Sequence, residues 1–136
     1  MRLKDETVLF SELRHGRRYC LSPYLLETIE SADALWRAYG ADELVITSGV
    51  EIDAWHTRAS EHWQGNALDG RIRNLPGVTV HRRADGTYYH KDRDGRLPDL
   101  RADMMARWGP DYRVIIEGHH MHWDNKPERI YRPVRR

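Results

Sequence analysis

The sequence predicts a single domain over residues 1–136 that mixes helices with strands. Three observations carry this expectation. The length of 136 residues is that of one ordinary domain and suffices to bury a core without covalent staples. Two segments place apolar residues three and four apart, the spacing of one helix face. Between and after them stand short β-branched runs that end in glycine-containing turns.

The elements follow in order. Ser22-Pro23 has the form of an N-cap followed by proline at the first helical position. Leu25, Ile29, Ala32, Trp36 and Tyr39 then line one face, and Gly40 stops the run, so a helix is expected over about 23–39. Leu44-Val45-Ile46-Thr47 reads as a buried strand closed by Ser48-Gly49. A polar loop with His56 and Arg58 leads to a histidine-containing motif. Val78-Thr79-Val80 and the turn signal Asp85-Gly86 predict a hairpin over about 78–90, followed by a charged loop to Arg96. Pro98 opens a second helix with Leu100, Met104 and Trp108 four apart, and Gly109-Pro110 closes it. Tyr112 to Ile116 alternates as a strand and runs into Glu117, placing a second motif on that strand's continuation.

Composition narrows the function classes. Hydrophobic residues make up 40% of the chain, so it can fold around a core. With 22 basic and 21 acidic side chains the net charge is +1, which argues against nucleic acid as the main partner. The basic stretch Arg132-Pro133-Val134-Arg135-Arg136 reads as a solvated terminus. The single cysteine, Cys20, excludes an intrachain disulfide and reads as a buried apolar thiol. No apolar run reaches transmembrane length, so no membrane insertion is expected. Residues 1–10 lack the apolar core of a signal peptide, so a target outside the cytoplasm would require another means of delivery.

Two motifs carry chemistry. The first, Ser60-Glu61-His62-Trp63-Gln64-Gly65-Asn66-Ala67-Leu68-Asp69, reads S-x-H-x-x-G-x-A-x-D. The second, Glu117-Gly118-His119-His120-Met121-His122, reads E-x-x-H-x-H. In an extended segment Ala67 and Asp69 share a face, and the small alanine leaves room for a metal. Gly65 allows the chain to turn from the His62 loop into that strand, and Ser60 can hold the loop by hydrogen bonding. His120 and His122, two apart, also share a face. Imidazole and carboxylate are suited to zinc, and a catalytic zinc site needs three protein ligands, an open position and a nearby base. Four of the five fixed positions of the first motif arise together by chance in about one chain in a thousand of this length. His62 alone reads as a surface residue and Asp69 alone as a turn residue; the two motifs together point to Zn2+.

This pair of motifs resembles the LAS-type zinc peptidases: the M15 group of D-Ala-D-Ala carboxypeptidases and dipeptidases and phage L-Ala-D-Glu endolysins, whose fold the Hedgehog signalling domain shares. It is most similar to small phage or prophage M15-like proteins, in which a strand ending in Ser-Gly leads through a His-x-Arg loop to S-x-H, as Ile46-Thr47-Ser48-Gly49 and His56-Thr57-Arg58 do here. The similarity covers residues 22 to 124. It implies an α+β fold with a small central antiparallel sheet flanked by helices, and peptidoglycan peptides as substrate. It implies His62, Asp69 and His122 as zinc ligands, Glu117 as general base and His120 as the histidine that steadies the oxyanion. Relatives with only E-x-x-H take the metal on the histidine three after the glutamate, so His120 is the alternative third ligand. His119 is expected to face away from the site.

The chain departs from the family where Val50-Glu51 follows the Ser-Gly pair, in place of an aromatic residue and a carboxylate-gripping arginine. Arg58 and Arg71, which flank the first motif, are the candidates for that role, with His56 and Ser60 beside them; each arginine on its own reads as a surface charge. Trp63 and Trp123 either wall the cleft or, for Trp123, pack in the sheet. The competing expectation is a retired zinc-binding module or phage structural component of the same fold. A metal-dependent nuclease built on the histidine cluster is disfavoured by the near-neutral charge.

Overall fold

The computed structural model describes residues 1–4, 10–12, 18–49 and 66–125, with backbone alone for 10–12 and 18–20. His56, Arg58, Ser60, His62, Trp63, Gly65, the Val50-Glu51 departure and the basic terminal stretch lie outside the described residues. Among the described residues no helix is long and apolar enough to cross a membrane.

The described chain mixes α and β: strands β1 (Arg2–Leu3), β2 (Phe10–Glu12) and β3 (Arg18–Cys20), helix α1 (Pro23–Ala38), strands β4 (Val45–Ser48), β5 (Ala67–Arg71), β6 (Val78–Arg82) and β7 (Tyr88–Asp92), helix α2 (Arg96–Trp108), and strands β8 (Arg113–Ile116) and β9 (His120–Asp124). Five strands form one sheet in the order β1-β4-β5-β9-β8, and β2-β3 and β6-β7 each pair separately. The main sheet is mixed, because β1 runs parallel to β4 while the other pairs are antiparallel. The expected sheet was wholly antiparallel. The chain between β1 and β4 includes α1, and a crossover of that length is what a parallel pair needs.

Helix α1 starts as its sequence predicts. The Ser22 hydroxyl accepts from the Tyr24 amide at 3.2 Å and Pro23 takes the first helical position. Gly40, at φ 98°, then turns the chain toward β4. Helix α2 begins two residues before the expected Pro98 start. The Asp92 carboxylate caps it, accepting from the amides of Arg96 at 3.0 Å and Leu97 at 2.8 Å. Pro98 still sits in the first turn, where its missing N–H has no partner to lose.

The β6-β7 hairpin turns where Asp85-Gly86 signals it. Asp85 accepts from the amide and hydroxyl of Thr87, and Gly86 adopts φ 90°. The expected continuous strand through Glu117 is instead a second hairpin. Strand β8 ends at Ile116, residues 117–119 turn, and β9 pairs back on β8. The Glu117 amide donates to the His120 carbonyl at 2.9 Å and closes that turn.

Strand alternation divides the sheet into two chemistries. One face presents Ile46, Leu68, Val114, Met121 and Trp123 to Leu25, Ile29, Ala32 and Trp36 of α1 and to Leu97, Leu100 and Met104 of α2. Trp123 is fully buried there, so it is a core residue and does not wall the cleft. Gly70 shares this face. A Cβ on it would stand 3.0 Å from Leu44 and Trp123 and 3.1 Å from Trp36, so its absence lets Trp36 pack down and donate its Nε1–H to the Arg71 carbonyl at 2.8 Å. The opposite face carries Asp69, Arg71, His120, His122 and Asp124.

Candidate functional site

The site sits on the two central strands of the sheet. Asp69 on β5 is directly opposite His122 on β9, and Arg71 is opposite His120. Period-2 alternation therefore aims Asp69, His120 and His122 to one side while Leu68, Met121 and Trp123 fill the core behind them. Asp69 is 4% exposed and His122 8%, unusual burial for such groups unless they are paired.

They are paired closely. His122 Nδ1 lies 3.0 Å from Asp69 Oδ1, and His120 Nε2 lies 3.5 Å from the same oxygen. On its other side His120 Nε2 is 3.0 Å from Glu117 Oε2. The far nitrogen of His122, Nε2, donates to Asp124 Oδ2 at 2.8 Å. Arg113 secures that carboxylate oxygen with bonds from Nη2 at 2.7 Å and Nε at 3.0 Å. A chain of contacts thus runs from Glu117 at the rim through His120 and the buried Asp69, His122 and Asp124 to the exposed Arg113.

The electrostatics follow from this geometry. Burial works against the His122 cation, but hydrogen bonds to Asp124 and Asp69 outweigh it and raise the imidazole pKa to about 9. Burial likewise opposes ionisation of Asp124, and the bonds from His122 and Arg113 overcome it, leaving its pKa below the usual carboxylate value. The hydrogen bond from His120 lowers Glu117 despite its partial burial, so Glu117 is an ionised proton acceptor at neutral pH. His119 is lowered by burial and by the neighbouring His120. It stands in the turn, outside β9, with its ring 4.5 Å from that of Tyr88.

Two of the expected zinc donors, Asp69 Oδ1 and His122 Nδ1, face each other at 3.0 Å. Tetrahedral zinc with bonds near 2.0 Å spaces its donor atoms about 3.3 Å apart, and the two separations from Asp69 Oδ1 bracket that value. Asp124 takes Nε2–H of His122 and so leaves Nδ1 as the nitrogen facing Asp69, the arrangement by which a carboxylate orients a metal-binding histidine. Among the described residues no group of three or more His, Cys, Asp or Glu side chains is arranged to hold a metal by itself. The further expected ligand, His62, lies outside them.

A cleft of about 930 Å³ opens on Asp69 and His120 and is lined on its other sides by Arg71, Arg73 and the β6-β7 hairpin. Arg71, expected as a substrate contact, lines it. Burial and the nearby guanidiniums of Arg73 and Arg2 disfavour the Arg71 cation. The hairpin is fastened to the Glu117–His119 turn. His90 Nδ1 meets the Gly118 carbonyl at 3.3 Å, and a Cβ on Gly118 would stand 2.3 Å from the Tyr88 carbonyl oxygen. Gly118→Ala is therefore expected to push the hairpin off the turn and to cost about 1–3 kcal/mol, as overpacking does. Urea unfolding of the variant checks this, and an unchanged midpoint would refute the close approach.

The structure thus brings together Glu117, Asp69, His120, His122 and Arg71 of the expected residues. Asp124 and Arg113 were missed, although Asp124 stands two residues beyond His122 and its face was readable from strand alternation. Lys4, Arg73, Arg82 and Tyr88 of the cleft carried no local signal.

The fold and site define a mixed α+β domain with a buried carboxylate–imidazole cluster at the end of a basic cleft. No protein-family model, curated protein or solved structure matches this chain.

Proposed function

We propose that this chain is a zinc peptidase of the Hedgehog/DD-peptidase type that hydrolyses an amide bond in peptidoglycan stem peptides. The observation that carries the reading is the pair Asp69 and His122, directly opposite on adjacent strands with facing donor atoms 3.0 Å apart, flanked by Glu117 and His120. A purely structural metal site has no use for the additional carboxylate at Glu117.

Asp69 and His122, with His62, would hold the metal, His122 through Nδ1 once that nitrogen gives up its proton, because Asp124 occupies Nε2–H. When bound, zinc polarises the scissile carbonyl and acidifies water. Glu117 accepts the proton of the attacking water and returns it to the leaving amine. His120, between Asp69 and Glu117, would turn its Nε2–H from Glu117 to the developing oxyanion as Glu117 takes up the water proton. The cleft beside them receives the peptide. Because the substrate is the bacterial cell wall, the protein acts after release or delivery, as a phage-associated enzyme does.

The test is metal analysis of the purified protein, followed by incubation of the zinc-loaded form with murein sacculi and mass spectrometry of the released peptides. Stoichiometric zinc and new peptide amino groups are expected. Zinc without release would make the chain a metal-binding module, and absence of zinc would overturn the reading altogether.

A further inference from the structure

Strand alternation points His119 away from the site, but the turn at residues 117–119 takes it out of that alternation and brings its ring back. Its Nε2 lies 3.3 Å from His120 Nδ1, and the two rings meet edge to face with centroids 4.4 Å apart and planes at 85°. Behind it the ring packs at 4.5 Å on that of Tyr88 in β7. The hairpin that carries Tyr88 is clipped to the same turn by His90 Nδ1, 3.3 Å from the Gly118 carbonyl, and by the close approach that Gly118 permits. His119 is therefore held between a fixed wall and the outer nitrogen of His120. The inner nitrogen, His120 Nε2, faces two carboxylates, 3.0 Å from Glu117 Oε2 and 3.5 Å from Asp69 Oδ1. A lone pair there would oppose both oxygens, so in this arrangement Nε2 carries a proton. A neutral imidazole has one N–H and one acceptor nitrogen. That leaves His120 Nδ1 to accept, and the donor it meets is His119 Nε2–H.

We propose that His119 is a positioning residue: by donating Nε2–H to His120 Nδ1 it keeps the His120 proton on Nε2, which makes His120 a hydrogen-bond donor to the reacting carbonyl oxygen and not a metal ligand. This rests on the peptidase reading above and adds the residue that selects between two roles for His120. The two roles need opposite tautomers. A metal takes the lone pair of Nε2 and leaves the proton on Nδ1, facing an acceptor. An oxyanion donor needs the proton on Nε2. Which nitrogen of a neutral imidazole is protonated follows from the hydrogen bond that the other one makes. His122, two residues along β9, has the converse setting. Asp124 accepts from its Nε2–H, which leaves Nδ1 toward Asp69. A carboxylate behind His122 thus frees a nitrogen for a metal, whereas an N–H behind His120 commits the site-facing nitrogen to donation. The same strand face presents two imidazoles, and what stands behind each sets its task.

The experiment is long-range proton–nitrogen correlation spectroscopy of the histidine-labelled protein, metal-free and zinc-loaded, which shows the nitrogen that carries hydrogen in each imidazole. His120→Gln identifies the His120 signals. The native His120 is expected to carry hydrogen on Nε2 alone in both forms. His119→Phe keeps a ring against Tyr88 and removes the N–H. It is expected to move His120 toward the Nδ1–H tautomer, to leave zinc content and thermal melting unchanged, and to slow murein release about ten-fold, a part of the roughly 10²–10³ that an oxyanion donor supplies outright. His119→Gln, whose side-chain amide offers an N–H at similar reach, is expected to return the proton to Nε2 and to restore most of the release. His119 is exposed, so neither substitution opens the core. Should either variant fail to fold, the native spectrum still decides. Hydrogen on Nδ1 of the native His120, a tautomer unmoved by His119→Phe, or full release by His119→Phe overturns the proposal. The outcomes separate from those of the peptidase reading. A tautomer that follows His119 with no murein release by the wild-type protein keeps the positioning role and removes the enzyme. Murein release with a tautomer indifferent to His119 keeps the enzyme and removes the positioning role.

Discussion

Glu117→Gln is expected to retain zinc and lose hydrolysis by a factor of about 10²–10⁴, the usual contribution of a positioned general base. The substitution preserves the size of the side chain and a hydrogen-bonding oxygen toward His120, whose Nε2 lies 3.0 Å from Glu117 Oε2. What it removes is the ability to accept a proton. In the native chain the His120 hydrogen bond keeps the Glu117 carboxyl below its ordinary pKa, so the carboxylate is ionised across neutral pH and is lost only in acid as it protonates. Asp69→Ala should behave differently. It would remove a proposed ligand and, among the described residues, one of the carboxylates that hold His122, so zinc content itself should fall. Metal analysis and murein release measured on both variants distinguish a base from a ligand. Equal loss of zinc in both would mean that Glu117 is a ligand, and undiminished release by Glu117→Gln would remove it from the chemistry.

The parts of this arrangement that could be read from sequence are those encoded within a few residues. Helix α1 was legible because Ser22-Pro23 supplies the cap and Leu25, Ile29, Ala32 and Trp36 repeat at helical spacing, and all four are buried. The β6-β7 hairpin was legible because Asp85-Gly86 specifies its turn. The start of α2 was not, because its cap is Asp92, several residues upstream in what reads as a charged loop. The turn at Glu117–His119 was hidden for a similar reason. A lone Gly118 between a glutamate and a histidine is weak turn chemistry, and the requirement for glycine comes from Tyr88 on a distant hairpin. In the site, Asp69, His120 and His122 were legible as motif positions. Their relation to Arg113 and to the cleft cations was not, since Lys4, Arg71 and Arg82 meet only through sheet topology.

Trp123→Ala should cost about 3–5 kcal/mol of stability, the range for removing a large buried aromatic. Trp123 has no exposed surface. Its ring lies 5.6 Å from that of Trp108 and 5.9 Å from that of Trp36, joining both helices to β9, and its Nε1–H donates to Thr28 Oγ1 at 2.9 Å. Alanine deletes the packing and leaves that hydroxyl without its donor. Trp123→Phe, which keeps most of the volume and loses the hydrogen bond, should cost about 1 kcal/mol from that bond, with the remainder set by how well the core closes around the smaller ring. Urea unfolding of the three proteins orders these effects, and a Trp123→Ala midpoint close to that of the native chain would show that the aromatic cluster is not what holds β9 in place. The same series joins core to site. Trp123 stands between His122 and Asp124 on β9, so the strand that buries the indole on one face aims the His122 imidazole to the other. Zinc at a hundred times its dissociation constant should stabilise the native protein by about 2.7 kcal/mol. If the core sets the position of His122, that increment shrinks in Trp123→Ala and survives in Trp123→Phe; an increment equal in all three would mean that the site holds its geometry without the core behind it.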